Sequence, residues 1–376
     1  MSGPPGALKV LLVTPRYAPA IGGVEWHTQM LANQLRRQGV SIEVACTDPT
    51  ARAPHVGRVE GITVRRFPTF RGDSTFFVAP SLARWVVRHS GAYDIVHAHS
   101  YHTPIPLLAA IAASRARVPL VVTPYFHGTG HTAARRLLHV PYRFAGAWAM
   151  RRADAIICIS AAERRLLEER FEVQPNRVKV IPVGIDVDEL ASARAISRPP
   201  GRRVVLVVGR LERYKGAARV IEAAGQLPTD VDLVVIGDGP DRIDVLAAAG
   251  RAGIDDRFQL HARVERDKLL SWYRTADVFV SMSDHESFGI TLLEAVASGA
   301  RAVASDIPAH REVAQFLPAG AVELVDGDAS STQLAAQIVR AAARGRISEA
   351  SATVPTWQEV GMRTLDVYRR VATRPT

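Results

Sequence analysis

Two glutamates stand eight positions apart in the segment "SMSDHESFGITLLEAVASGA", residues 281–300. The pattern predicts a strand, a loop and an apolar helix that begins near Gly289 and ends at Gly299. At the start of such a helix the N–H groups of Gly289, Ile290 and Thr291 point outward, and the helix dipole adds positive potential. We therefore expect an anion site there, and the glycine would let a diphosphate approach the backbone closely.

Glu286 and Glu294 flank this anion site. Glu294 lies a little more than one turn into the predicted helix, where its carboxylate can accept hydrogen bonds from a ribose diol. Glu286 lies on the loop and can reach the hydroxyls of a group at the other end of the diphosphate. Two carboxylates around a phosphate site fit a nucleotide sugar. The segment alone fits a second interpretation, in which Glu286 introduces the helix and Glu294 belongs to its solvated face.

Two cations follow a predicted strand in "VVGRLERYKGAARVIEA", residues 207–223. Arg210 comes directly after the strand, and Lys215 and Gly216 open the next helix. A guanidinium and an ammonium at these positions can neutralise a diphosphate and stabilise it as it departs. The alternative is that both are ordinary loop cations, because arginine is frequent throughout this chain.

A pair of glycines separates a strand from a helix in "TPRYAPAIGGVEWHTQMLANQL", residues 14–35. Gly22 and Gly23 would allow close backbone approach to a phosphate or a sugar. A turn that only requires glycine geometry is the alternative for this loop. The chain contains neither the GxGxxG fingerprint nor a Walker A loop.

Histidines cluster in "VHAHSYHT" and "TPYFHGTGHT". His127 follows a strand and precedes Gly128, so it is well placed to hydrogen-bond a sugar hydroxyl. His97 and His99 are more consistent with packing or loop support. Because no nearby carboxylate or cysteine completes a ligand set, we predict no metal site.

The elements that must position these residues are short apolar runs followed by helix-length amphipathic segments. Strands that are hydrophobic without alternation are typical of parallel sheets covered on both faces. The predicted strands are "KVLLVT", "SIEVACT", "DIVHAH", "PLVVTP", "AIICIS", "VKVIPV", "RVVLVVG", "VDLVVIG", "FQLHA", "DVFVSM" and "RAVASD". In such sheets ligands bind beyond the carboxyl ends of the strands, and the candidate residues lie in those loops.

The fold class is therefore predicted to be α/β, with two doubly wound domains that face each other across a cleft. The first domain covers residues 1–191 and the second covers residues 204–355. The Arg- and Pro-rich residues 192–203 form the predicted connection. Residues 356–372 have helical spacing, and they either cap the second domain or cross back to the first.

Composition limits the class of protein. With 376 residues, 47% of them hydrophobic, the chain can bury two sizeable cores, which excludes a disordered protein. The net charge of +10 fits an anionic ligand, a nucleic acid or an acidic membrane surface. Cys46 and Cys158 lie in apolar runs and are expected to be buried thiols in a reducing compartment. We see no signal peptide and no run long enough to span a bilayer, so we expect a cytoplasmic protein that at most rests on a membrane.

Taken together, these residues resemble the retaining glycosyltransferases of family 4, which have the GT-B fold with two Rossmann-like domains. The family's E-x7-E pattern corresponds to Glu286 and Glu294, and its Arg and Lys pair corresponds to Arg210 and Lys215. The family's glycine loop corresponds to "GGVE" at 22–25, and its cleft histidine corresponds to His127. One departure is "ASDIPAHREV", which stands where the family often has a glycine-rich loop.

The resemblance implies transfer of a hexosyl or N-acetylhexosaminyl group from a nucleotide-diphosphate sugar to an acceptor hydroxyl, with the anomeric configuration kept. It implies no cofactor and no metal, because the helix start and the cations would stabilise the departing diphosphate. The expected catalytic residues are His127, Arg210, Lys215 and Glu286. The expected donor-binding residues are Gly22, Gly23, Gly289, Ile290, Thr291 and Glu294.

The acceptor is much less evident than the donor. Residues 128–152 combine basic, apolar and aromatic side chains, and Arg135 and Tyr142 are candidate acceptor residues. The same stretch fits a surface that contacts anionic lipid, or simply a solvated helix face. A polysaccharide, a glycolipid and a small natural product all remain open as acceptors.

Three other functions are considered. A related nucleotide-sugar enzyme such as an epimerase would need no acceptor, whereas a phosphorylase of this fold would need a pyridoxal lysine, for which no strong candidate is evident. A catalytically inactive nucleotide-sugar-binding protein is the third possibility, and the intact Glu and Arg/Lys sets argue against it. Binding to nucleic acid is not expected, because only 6% of the residues are aromatic and no recognition motif occurs.

Overall fold

The protein is represented by a computed structural model, which describes residues 7–20, 22–52, 54–70, 77–126, 144–347 and 354–373. The chain forms two compact units. The first unit consists of Met1–Gly184 together with Trp357–Thr376, and the second consists of Ile185–Thr356. The predicted connection, residues 192–203, therefore lies inside the second unit. There, Arg198 donates a hydrogen bond of 3.0 Å from Nη2 to Oδ1 of Asp277, which ties the connection to that unit.

The first unit is built on an eight-stranded sheet with the order β3-β4-β2-β1-β5-β6-β7-β8. Its strands are β1 (Lys9–Thr14), β2 (Ser41–Asp48), β3 (His55–Val59), β4 (Ile62–Pro68), β5 (Ile95–His99), β6 (Leu120–Thr123), β7 (Ala155–Cys158) and β8 (Val178–Val180). All neighbours pair in parallel except β3, which runs antiparallel to β4 at the sheet edge. Strands β5, β6 and β7 are buried along their whole length, because helices cover both faces of a parallel sheet.

The helices of the first unit follow the strands in the expected alternation. They are α1 (Gly23–Arg37), α2 (Pro80–His89), α3 (Ile105–Ala116), α4, described over 144–152, α5 (Ala161–Phe171) and, at the end of the chain, α13 (Trp357–Ala372). Cys46 and Cys158 are both buried and free, and burial raises the pKa of the Cys46 thiol to about 12. The two cysteines are therefore core residues, as the sequence predicts.

The second unit is built on a six-stranded, wholly parallel sheet with the order β11-β10-β9-β12-β13-β14. Its strands are β9 (Arg203–Val208), β10 (Val231–Ile236), β11 (Phe258–His261), β12 (Val278–Ser281), β13 (Arg301–Ser305) and β14 (Val322–Val325). Its helices are α6 (Val187–Ser192), α7 (Ala217–Ala224), α8 (Arg242–Ala252), α9 (Arg266–Thr275), α10 (Ile290–Ala297), α11 (Pro308–Ala314) and α12 (Ser331–Ala343).

Both sheets reverse their strand order at one point, which decides where a ligand can bind. In the first sheet the reversal lies between β1 and β5, and in the second it lies between β9 and β12. The helices that leave the two strands at such a point go to opposite faces, so a crevice opens beyond their carboxyl ends. The loops after β1, β9 and β12 carry most of the residues that the sequence analysis selects.

The helix α13 packs in the first unit, against α1. The ring of Trp357 lies 5.2 Å from that of Trp26, and the hydroxyl of Tyr368 lies 2.6 Å from Nδ1 of His97. The last helix of the chain thus completes the unit that begins the chain. Across the described ranges, every helix is too short or too polar to cross a bilayer.

Candidate functional site

A pocket lies at the β9–β12 reversal of the second unit. It is bounded by the end of β9 and the loop that follows it, and by the end of β12 and its loop. Its lining residues are Val207, Val208, Gly209, Arg210, Leu211, Lys215, Ala217, Val280, Ser281, Ser283 and Glu286. The structure therefore brings together three of the predicted catalytic side chains, Arg210, Lys215 and Glu286, from two loops that lie far apart in sequence.

Lys215 and Glu286 are in direct contact in this pocket. Nζ of Lys215 lies 2.5 Å from Oε1 of Glu286, and the hydroxyl of Ser283 donates to the same oxygen over 2.9 Å. The two charged side chains are only 21% and 17% exposed. Burial alone would raise the pKa of Glu286, but the charge and hydrogen bond of Lys215, together with the hydrogen bond from Ser283 and the nearby His310, lower that pKa overall. The carboxylate is therefore charged at neutral pH.

The two loops that carry this pair are fastened to each other. The N–H of Asp284 donates to the carbonyl of Tyr214 over 2.7 Å, and the rings of Tyr214 and His285 stack with centroids 4.3 Å apart. Gly216 has a φ of +68°, and a Cβ built on it would lie 2.3 Å from the carbonyl oxygen of Met282. Only glycine allows this approach, which fixes the position of the preceding lysine.

Arg210 is more exposed than the other two side chains. It forms an ion pair with Glu212 on the same loop, and 61% of its side chain is exposed. A largely exposed ion pair of this kind contributes little stability.

The start of α10 has the geometry of an anion site. Gly289, its N-cap, has a φ of +100°, and a Cβ there would lie 3.3 Å from Cδ2 of His310. The following residues, Ile290 and Thr291, are partly exposed. Their N–H groups belong to the first turn, where α-helical partners do not exist. His310 itself is buried and hydrogen-bonded through Nδ1 to the carbonyl of Ser305 over 2.8 Å.

Glu294 does not line the pocket. It lies within α10 with 3% of its surface exposed, and its Oε1 lies 2.7 Å from Nη2 of Arg266. The alternative that Glu294 belongs to a solvated helix face is therefore wrong. Burial raises the pKa of Glu294, and the guanidinium of Arg266 opposes that rise.

In the first unit, the predicted glycine pair precedes α1. Gly22 is the N-cap with an extended backbone, and a Cβ there would lie 2.1 Å from Oε2 of Glu25. Gly23 has open space where its Cβ would be. Glu25 is buried and accepts a hydrogen bond from Nε of Arg16 over 3.2 Å. A side chain at Gly22 would thus displace the Glu25 carboxylate, whereas Gly23 leaves room beside the backbone.

Three predicted residues, His127, Arg135 and Tyr142, lie outside the described residues. His97 and His99 are described and fully buried. Nε2 of His97 lies 2.9 Å from Oγ1 of Thr123, and Nδ1 of His99 lies 3.0 Å from the hydroxyl of Tyr125. Both histidines are therefore packing residues. Within the described ranges, no three His, Cys, Asp or Glu side chains group as metal ligands would.

Among the residues that contact the selected ones, Ser283 and Arg266 were not singled out from the sequence. Ser283 stands three positions before Glu286, and a Ser-x-x-Glu spacing is a recognisable signal of a hydrogen-bonded pair at a helix or loop start. Arg266 is the first residue of α9, where the helix dipole disfavours a cation. A cation in that position indicates a compensating carboxylate elsewhere in the fold.

The sequence matches two protein-family models that together span most of the chain. The model described as Glycosyltransferase Family 4 matches residues 21–189, and the one described as Glycosyl transferases group 1 matches residues 189–342. A D-inositol 3-phosphate glycosyltransferase of Xylanimonas cellulosilytica is 29% identical, with 99% of this chain and 98% of the relative aligned. A GDP-mannose:cellobiosyl-diphosphopolyprenol alpha-mannosyltransferase of Xanthomonas campestris is 28% identical, with 98% of both chains aligned.

Solved structures give the same architecture. Sucrose-phosphate synthase from Thermosynechococcus elongatus superposes with a TM-score of 0.77 over 97% of this chain and 99% of that one, at 18% identity. At this identity the likeness concerns the fold alone.

Proposed function

The chain belongs to glycosyltransferase family 4 and is a glycosyltransferase of the GT-B fold, and from that premise we propose that it transfers a hexosyl or N-acetylhexosaminyl group from a nucleotide-diphosphate sugar to an acceptor hydroxyl, with retention of configuration. The observation that carries the proposal is the pocket at the β9–β12 reversal, which joins Arg210, Lys215 and Glu286 in one unit. A relative whose name specifies GDP-mannose supports a nucleotide-sugar donor.

The diphosphate would bind between the cations and the start of α10. Lys215 and Arg210 would meet its charge, and the N–H groups of Ile290 and Thr291 would donate to its oxygens. These groups stabilise the negative charge that develops on the departing phosphate, so the reaction needs no divalent metal. The resemblance also supports a role for the backbone of Gly23, after Gly22, in contacting a phosphate.

The sugar and the ribose would be held by the two carboxylates. Glu286 would accept hydrogen bonds from sugar hydroxyls and so position the anomeric carbon, while Glu294 would accept those of the ribose. His127 would hold a hydroxyl near C6 of the sugar. Arg135 and Tyr142 would contact the acceptor.

The chemical step we propose uses the leaving group as the base. The bond from the anomeric carbon to the phosphate oxygen breaks, and a bond from the same carbon to the acceptor oxygen forms on the same face. The acceptor proton passes to the departing phosphate oxygen. Lys215 and Arg210 hold that oxygen in place while it accepts the proton.

Calorimetry with a panel of nucleotide-diphosphate sugars tests the donor, once with and once without EDTA. We expect at least one donor to bind with a Kd of about 1 mM or lower, and equally well with EDTA. Mass detection of product from pooled acceptors then tests transfer. Absence of binding by every donor, or conversion of a donor without any acceptor, would contradict the proposal; the second result would favour an epimerase.

A further inference from the structure

Glu294 is a carboxylate that the fold has placed among apolar side chains. Its neighbours along α10, Leu293 and Ala295, are completely buried, and Glu294 itself is 3% exposed. A buried carboxylate is costly unless it is paired and hydrogen-bonded. The way in which Glu294 is paired therefore decides what it can do.

Arg266 pairs with Glu294, and it is held from a second side. One nitrogen of its guanidinium, Nη2, lies 2.7 Å from Oε1 of Glu294 and donates to Oε2 of Glu189 over 2.8 Å. Its Nε donates to the same oxygen of Glu189 over 3.2 Å. Because a guanidinium is planar and its donors are fixed in one plane, the two contacts to Glu189 set the direction in which Nη2 meets Glu294.

Glu189, Arg266 and Glu294 together carry more negative than positive charge. Glu189, Arg266 and Glu294 come from three helices, α6, α9 and α10, and two carboxylates face one guanidinium. The phenol of Tyr273, on α9, also faces Glu294; burial and the charge of Glu294 raise the pKa of Tyr273, so it stays neutral. Arg266 is therefore the cation that offsets the burial of Glu294.

This arrangement occupies one oxygen of Glu294 and leaves acceptor capacity on the carboxylate. An ionised carboxylate has two oxygens with about four acceptor positions, and Arg266 contacts Oε1. A diol that binds the remaining positions needs the carboxylate charged, because a protonated carboxyl loses one acceptor and accepts more weakly.

We propose that Arg266 is a positioning residue of the ribose subsite: held by Glu189, its guanidinium orients the buried Glu294 carboxylate and keeps it charged for a ribose diol. The inference rests on the proposed function, in which Glu294 binds the ribose of the donor. Arg266 acts through Glu294 and is not itself a catalytic residue. A purely structural Arg266 would join three helices without affecting how a nucleotide's ribose is recognised.

Nucleotide binding can separate these two roles. We would titrate the wild-type chain and Arg266→Met with UDP and GDP, and with the 2′,3′-dideoxy forms of both, which lack the diol. For the nucleotide that binds, we expect the wild type to prefer the ribose form by about tenfold or more, since a charged hydrogen bond is lost without the diol. In Arg266→Met we expect that preference to fall to about threefold or less, with the affinity for the dideoxy form unchanged.

Two further variants and a pH series make the test independent of folding. Glu189→Gln keeps Arg266 but loosens its hold, so we expect a smaller loss of the ribose preference. Arg251→Met, at an exposed position on α8, is the matched control and should behave as the wild type. In Arg266→Met, burial without the guanidinium leaves Glu294 protonated at lower pH, so the ribose preference should recover as the pH is raised.

Each outcome has a distinct meaning. If Arg266→Met and Glu189→Gln keep the full ribose preference of the wild type, the inference is overturned while the proposed function stands. If the wild type binds the ribose and dideoxy forms with equal affinity, the proposed role of Glu294 in binding the ribose is wrong. If the wild type binds no nucleotide diphosphate at all, UDP and GDP included, the proposed function fails. Should Arg266→Met not fold, Glu189→Gln carries the comparison alone.

Discussion

At the scale of single residues, the site contains charge pairs that an incoming ligand would have to separate. Lys215 is already neutralised by Glu286, so a diphosphate that approaches the lysine competes with a carboxylate 2.5 Å away. The glutamate in turn needs a new partner, which sugar hydroxyls can supply. Under the proposed function, binding of the two halves of the donor would be coupled, because each half would satisfy one member of the pair.

The substitution Glu286→Gln tests this coupling. We expect kcat to fall by about 100-fold or more, because the sugar loses a charged acceptor. The affinity for the nucleotide diphosphate alone should not weaken, because Lys215 no longer has a competing carboxylate. Steady-state kinetics and calorimetry measure the two quantities, and Glu222→Gln, at an exposed position of α7, is the control. A variant that loses diphosphate affinity to the same extent as kcat would argue for a purely structural Glu286.

The residue types could be selected from the sequence, but their partners could not. The spacing of Glu286 and Glu294 around Gly289 predicted carboxylates near a helix start, and the structure has that helix at Ile290–Ala297. One carboxylate faces a pocket, and the other is buried against Arg266. This difference depends on the packing of α9 on α10. The helical period alone does not specify which neighbour a side chain meets.

At the scale of elements, the site depends on two loops that close contacts hold together. The close approach of Gly216 to Met282, together with the stacking of Tyr214 on His285, holds the loop after β9 against the loop after β12. A substitution that disrupts this contact is expected to move Lys215 away from Glu286. The geometry of the pocket therefore depends on the backbone of both loops.

Two glycine substitutions compare the backbone contact with the conformation itself. Gly216 and Gly253 have similar φ values, +68° and +63°, but a Cβ on Gly253 meets nothing within 4 Å. We expect Gly253→Ala to cost about 1 kcal/mol through strain alone and to keep full activity. Gly216→Ala should cost about 2 kcal/mol or more and reduce kcat by about tenfold or more, because the loops are forced apart. Urea unfolding and kinetics check both; equal effects would show that the contact with Met282 is unimportant.

Strand prediction succeeded where the sequence contains a recognisable apolar run. Every strand expected from such a run exists, at the sheet edges β8 and β11 as well as inside the sheets, and β1, Lys9–Thr14, has the predicted bounds. Three strands, β3, β4 and β14, could not be identified from the sequence. Each contains a charged residue, as in "HVGRV", "ITVRRFP" and "VELV", and none is buried along its whole length. Short strands interrupted in this way give a weak apolar pattern.

At the scale of the whole molecule, both units repeat one winding, which right-handed crossovers between parallel strands favour. Counted along each sheet, the order is 3-2-1-4-5-6, with one further parallel strand and the antiparallel β3 added to the first. The alternation of strands and helices was therefore sufficient to predict the class. The division of the chain at Gly184 could not be predicted from this alternation, because the apolar pattern continues on both sides of that residue.

The first unit also contains a set of buried histidines that makes its stability depend on pH. Burial lowers the pKa of His27 and of His97 to about 3, and lowers that of His99 as well. The unfolded chain binds protons on these groups below pH 6.5 while the folded chain does not, so stability rises with pH through that range. We expect each histidine to lower the free energy of unfolding by roughly 2 kcal/mol between pH 7 and pH 5.

Urea titrations at pH 5, 6 and 7 measure this dependence. His27→Gln should reduce the slope by about one proton, and the matched control is His55→Gln, whose side chain is 49% exposed. A slope that His27→Gln leaves unchanged would mean that the imidazole is solvated and titrates freely in the folded protein.

The position of α13 has a consequence for how the protein is made. The ribosome delivers the strands of the first unit early, but Trp357 and Tyr368, which contact Trp26 and His97, emerge only after the whole second unit. During translation, the face of the first unit that α13 covers therefore stays exposed while about 170 further residues are synthesised. At typical elongation rates this synthesis takes roughly 10–30 s. Nascent chains of this protein should depend on a chaperone until their final helix arrives.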